Sequence, residues 1–204
     1  MAMKLRIISK IIGFCLVSLV LFYFIGKGEK LDINKIDADK IEDFDIILSK
    51  GQSAQSKLIS LIKFSTEDYS HIGIIVKDGG KVFVLHSTPD GTQLNGIRYD
   101  DLQTFINLSS VSDLIVLRYK ELSFDFRQKL RMEFDRFKTI QAPFDYDFNN
   151  KENTKIYCSE LVWLIFKNVR LLETRDFNLA KPIYPKFFLK IKNFVKINCK
   201  RPSQ

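Results

Sequence analysis

The chain has 204 residues, 46% hydrophobic and 27% charged, with nine glycines and five prolines, a composition that excludes a low-complexity polymer and suits one folded domain plus an appendage. The formal net charge is +8, yet the segment from Lys181 to Gln204 holds seven basic residues and no acidic one. The remainder is nearly neutral, which argues against a folded basic face and so against nucleic acid as a partner. Three cysteines, Cys15, Cys158 and Cys199, cannot complete a disulfide framework.

Residues 11–26, IIGFCLVSLVLFYFIG, carry no charge. Extended back to Ile7, the run approaches the ~20 residues a helix needs to cross a hydrocarbon layer of about 30 Å. Lys4, Arg6 and Lys10 precede it, whereas Lys27 and Lys30 behind it are mixed with Glu29 and Asp32. This bias predicts a single-pass transmembrane anchor over residues 1–26, N-terminus cytoplasmic and domain extracytoplasmic. The alternative is a cleaved signal peptide that leaves the domain secreted or periplasmic. The run is long for one, and no A-x-A-like site follows it. Residues 27–42 read as a polar linker and residues 43–204 as the folded domain.

Within that domain FDIILS (44–49), closed by Lys50-Gly51, reads as a buried strand. Residues 53–64 place Leu58, Leu61 and Ile62 at helical spacing behind Ser53. SHIGIIVKDGGKVFVLHS (70–87) is a hairpin, because two β-branched runs flank Asp78-Gly79-Gly80. GIRYDDLQTFI carries a strand end into a short helix, with Asp100 or Asp101 as its cap. Residues 113–120 form another strand. Residues 123–138 form an amphipathic helix with Phe126, Leu130, Phe134 and Phe137 on one face. A polar, aromatic-laced loop leads to an apolar helix over 157–169, and FFLKIKNFVKIN (187–198) suits helix or strand. Strands and helices without regular alternation indicate an α+β fold with an antiparallel sheet.

The chain has two histidines, His71 and His86, both in the hairpin. With Gly79-Gly80 as a two-residue loop, Asp78 faces Lys81, Gly73 faces His86 and His71 faces Thr88. The four residues His71, Gly73, His86 and Thr88 then share one face, with the two imidazoles diagonal neighbours close enough to hydrogen-bond. Gly73 leaves open space beside them. Cys158 opens the apolar helix. A helix N-terminus and a nearby imidazolium both favour the thiolate, and the first-turn N–H groups can hold an oxyanion. Cys158, His71 and His86 thus form a candidate acyl-transfer set. A buried structural cysteine and a His₂Cys zinc site remain open readings, although no C-x-x-C or H-x-x-x-H motif supports the latter. Glu160 suits a first-turn acid on the helix dipole, Tyr146 and Tyr157 suit core or pocket lining, and the basic tail suits either a packed terminal element or a contact with anionic lipid.

The pieces SHIGI, HSTPDGT, GIRYDDLQTF, APFDYDF and KIYCSELV, in that order, resemble the permuted papain-fold cysteine hydrolases, the YiiX-like branch of the NlpC-type superfamily, over about residues 43–190. The resemblance implies a circularly permuted papain-like fold, an antiparallel barrel-like sheet packed on helices. It implies Cys158 as nucleophile and His71 as general base, with the third polar group on the next strand. Here that group is His86, where many YiiX-like proteins have Glu, and a Cys-His-His set is similar to that of lecithin:retinol acyltransferase relatives. Ala142 stands where relatives commonly have Gly. The implied activity is hydrolysis of amide bonds, in peptides that include cell-wall fragments, through a thioester and without cofactor or metal. Lipid acyl hydrolysis or transfer and an inactive binding domain are the alternatives.

Overall fold

The structure, a computed structural model, describes residues 31–33, 36–51, 69–89, 95–108 and 111–200. The expected anchor over 1–26 and the expected helix over 53–64 lie outside the described residues. Among the described residues no helix is long and apolar enough to cross a membrane.

Six strands form one antiparallel sheet: β1 (Ile46–Gly51), β2 (His71–Asp78), β3 (Lys81–Thr88), β4 (Gly96–Asp101), β5 (Val111–Tyr119) and β6 (Phe194–Ile197). Their spatial order is β4-β3-β2-β1-β5-β6. Among the described residues three α-helices accompany them: α1 (Leu102–Leu108), α2 (Phe124–Thr139) and α3 (Cys158–Asn168). The α+β class with an antiparallel sheet is therefore as expected. The sheet is open, since no ladder joins β4 to β6 among the described residues.

The sheet is buried on both faces, which explains the unbroken apolar run of β1. Ile46 and Leu48 face α2 and α3 in a core that includes Ile72, Ile74, Leu85, Phe134, Leu161 and Trp163. Ile47 faces the other way, into a smaller core with Ile75, Val84, Phe105, Val111 and Val116. Helix α3 is buried from Cys158 to Phe166, sandwiched by the sheet, α2 and the C-terminal segment, so it needs no polar stripe. Helix α2 has the expected amphipathic form. Ser123 accepts from the Phe126 N–H at its start, and Leu130, Phe134 and Phe137 are its buried residues. Phe126 stays partly exposed beneath the Lys129 ammonium.

The linker expected over 27–42 is corrected by its described part. Ile36 and Ile41 are buried, Leu31 donates its N–H to Val111, and Asp37 donates to Cys199. Spaced apolar residues among the charges carry this stretch onto the smaller core, so the domain begins well before residue 43. The C-terminal segment splits into a 3-10 turn (Pro185–Lys190) and β6. Phe188 and Phe194 are buried while Lys190, Lys192 and Lys196 stay exposed, as a packed terminal element requires.

Candidate active site

The hairpin fixes the histidines. Gly79 and Gly80 have φ of 54° and 76°, the left-handed pair that a two-residue turn demands. Asp78 pairs with Lys81 and Gly73 with His86, so both imidazoles lie on one face. His71 Nε2 and His86 Nδ1 are 2.8 Å apart, with ring centroids 5.0 Å apart and planes at 82°. The ladder stops at Gly73–His86; the expected His71–Thr88 pair does not form. The open space expected beside Gly73 is also absent. A Cβ there would lie 2.4 Å from Val84 Cγ1 and 2.9 Å from the Leu85 carbonyl oxygen. Glycine is required because the strands and the His86 side chain already fill that volume.

Two residues missed by sequence reasoning complete the cluster. Phe105 of α1 stacks on His71 at 5.3 Å and meets His86 edge-on at 5.1 Å. Asp100 of β4 stands 3.0 Å from His86 Nε2 and takes 2.8 Å and 3.1 Å hydrogen bonds from Arg98 Nε and Nη2. The helix cap is Asp101 alone, which accepts from the Thr104 N–H and hydroxyl. The alternation of β4 was the available signal, but its register on β3 depends on the connection after residue 88.

Burial, and secondarily the neighbouring His86, pushes His71 well below the ordinary histidine range. Burial also lowers His86, against the opposing pull of Asp100. Both rings are therefore neutral at pH 7. Burial acts to raise Asp100, but hydrogen bonds and charge from His86 and Arg98 outweigh it and hold the carboxyl below the usual range.

Cys158 is the first residue of α3 and is buried. Its side chain belongs to the core on the helix side of the sheet, with Ile72 and Leu85. The Ile72 N–H, unpaired with Ser87 because the ladder has ended, is among the groups that favour the thiolate. The sulfur is thus held against the residue that follows His71. No hydrogen bond joins Cys158 to His71 among the described residues. The thiol packs in the larger core with Ile72, whereas the His71 ring packs on Phe105 of the smaller one. The expectation of a stabilised thiolate is corrected as well. Burial drives the Cys158 thiol up to about 11, outweighing the Ser159 hydroxyl and the N–H groups of Ile72, Ser159 and Cys158 itself. Thiol and imidazole are thus both neutral at rest.

The neighbouring residues are structural. The Tyr157 hydroxyl bonds Asn150 and accepts from the Ile183 N–H at 2.8 Å, tying two loops to the start of α3. Glu160 Oε2 accepts from the Tyr157 N–H at 3.4 Å, as a first-turn acid does, but Oε1 is buried without a partner. Tyr146 is 58% exposed, so it belongs neither to the core nor to a buried wall.

The family profile described as permuted papain-like amidase enzyme, YaeF/YiiX, C92 family, matches residues 40–196. The chain belongs to this family. The family is described as one of permuted papain-like amidases. The chain is 30% identical to the uncharacterized protein YiiX of Escherichia coli (strain K12) over 145 residues, spanning 68% of this chain and 66% of that protein, just under two thirds of its length. The crystal structure of the metalloprotein YiiX from Escherichia coli O157:H7 superposes with a TM-score of 0.62 at 22% identity, over 80% of this chain and 99% of that one, which shows the shared fold. A metal does not fit the donors here. His71 Nε2 and both nitrogens of His86 are engaged, and no three His, Cys, Asp or Glu side chains converge among the described residues.

Proposed function

We propose that the chain is a membrane-anchored cysteine amidase acting on peptide amides outside the cytoplasm, with Cys158 as nucleophile, His71 as general base and His86 as its orienting partner. One observation carries this reading: the thiol at the start of α3 shares a core cluster with Ile72, the residue next to His71, whose ring is hydrogen-bonded to a second imidazole.

The chemistry starts from the neutral pair. The thiol turns toward His71 Nδ1, the nitrogen not engaged by His86. Sγ gives its proton to Nδ1 as it attacks the amide carbon, forming the C–S bond and an oxyanion. The N–H groups of Cys158 and Ser159, at the open end of the helix, are available to that oxyanion; the Tyr157 N–H is already committed to Glu160. Collapse breaks the C–N bond, and the amine leaves with the proton from His71. Water, deprotonated by the same nitrogen, hydrolyses the thioester to a carboxylate and restores the thiol. The uncharged run of residues 11–26 would hold this site near a membrane.

The test is mass spectrometry of Cys158 after brief exposure of the full chain to peptide and phospholipid pools. A peptidyl thioester on Cys158, lost in His71→Ala, is expected. A fatty-acyl adduct would move the substrate to lipid, and no adduct together with full turnover in Cys158→Ala would overturn the reading.

A further inference from the structure

We propose that Asp100, held by Arg98, is a positioning residue that sets the proton arrangement of both imidazoles and so leaves the lone pair on His71 Nδ1. The inference rests on the cysteine reading for its catalytic meaning, but the arrangement itself follows from the hydrogen-bond chain.

An ionised carboxylate can only accept. Asp100 Oδ2 lies 3.0 Å from His86 Nε2, so in the neutral ring that nitrogen carries the hydrogen. His86 Nδ1 then bears the lone pair. It lies 2.8 Å from His71 Nε2, which must therefore be the donor, and a neutral His71 is left with its lone pair on Nδ1. One carboxylate thus determines the tautomer of two rings in series, the second of them the base. The Arg98 guanidinium binds both oxygens of Asp100, which keeps the carboxyl ionised and turned toward His86. Phe105 packs on both rings and opposes their rotation.

The reverse arrangement disables the site. With hydrogen on His86 Nδ1, His71 must accept at Nε2 and carry its own hydrogen on Nδ1, so it has no lone pair left with which to take a proton. When His71 takes the Cys158 proton, the cation forms with its Nε2–H still donated to His86 and with a fixed negative charge one ring away. The proton stays on His71 and is returned to the leaving amine; nothing passes to Asp100.

A chain with two histidines makes this directly measurable. Two-bond proton–nitrogen correlation spectra of the ¹⁵N-labelled full chain in detergent, at pH 7.5, report which nitrogen of each ring is protonated. Wild type is expected to show both rings protonated at Nε2. Asp100→Asn, which offers an amide N–H₂ in place of one oxygen, should introduce Nδ1-protonated His86 and His71; Asp100→Ala, if it folds, should mix the two forms. The kcat of Asp100→Asn should fall roughly 10- to 100-fold with KM little changed. An Nδ1-protonated ring in wild type, or wild-type spectra in both variants, overturns the proposal. Spectra need no turnover, so amide cleavage that survives in Cys158→Ala would overturn the parent reading separately, and with it the catalytic meaning of the relay.

Discussion

The substitution Glu160→Gln tests how the start of α3 is built. The carboxyl is fully buried, and only one of its oxygens has a partner, the Tyr157 N–H. Burial lifts its pKa from 4.5 to about 8, against the Tyr157 hydrogen bond and with help from the charge of Asp145. The folded state therefore keeps a proton that the unfolded chain sheds above pH 4.5. Stability must fall as pH rises through that window, by ~1.4 kcal/mol per pH unit in its middle. The loss amounts to about 2–3 kcal/mol between pH 5 and pH 7 and about 4 kcal/mol by pH 8, a large part of the 5–15 kcal/mol typical of a domain. The glutamine amide would mimic the protonated acid, so the variant should be nearly isostable with wild type at pH 5 and clearly more stable at pH 8. The depressed histidines contribute the opposite slope below about pH 6.5; they are common to both proteins and cancel in the difference. Trp163, the single tryptophan, is buried in the same helix, and its fluorescence during urea unfolding reads the transition. A variant-to-wild-type difference that does not change between pH 5 and pH 8 refutes a protonated, buried Glu160.

Three further outcomes are expected. Gly73→Ala should cost about 1–3 kcal/mol and shift the His86 imidazole resonances, because the new methyl meets Val84 and the Leu85 carbonyl; an unchanged urea midpoint contradicts the close approach. Alkylation of Cys158 by iodoacetamide, followed by peptide mapping, should keep accelerating past pH 9, since burial holds the thiol near 11; a plateau at neutral pH would instead reveal a preformed thiolate. Phe105→Ala should cost about 3–5 kcal/mol and broaden both imidazole signals, whereas sharp wild-type signals would show that the ring does not restrain them.

The parts of the site governed by short-range chemistry were legible. Asp78-Gly79-Gly80-Lys81 sets its own turn, and the turn sets the register, so the shared face of His71 and His86 could be counted from it. The helical start at Cys158 followed from the apolar run behind it. Asp100 was not legible in the same way. Its place beside His86 depends on the register of β4 on β3, and counting along the sequence cannot supply that register. The place of Ile72 beside the thiol has no signature at all, because it depends on where the β2–β3 ladder ends. Gly73 was misread because the volume at a glycine belongs to its cross-strand neighbours, here Val84 and His86. The stretch 31–42 looked like linker because Ile36 and Ile41 are diluted by charges, and only the exposed face of the smaller core explains why they dock.

The burial of the sulfur in the larger core has a practical consequence for anyone wishing to trap an acylated or substrate-loaded form. The customary replacement of a nucleophilic cysteine by alanine is not silent in this scaffold, because it leaves a void where the sulfur was packed. Serine would put a hydroxyl into the same apolar packing. An inert version of this molecule is better made at the imidazole, leaving the sulfur in place as part of the architecture.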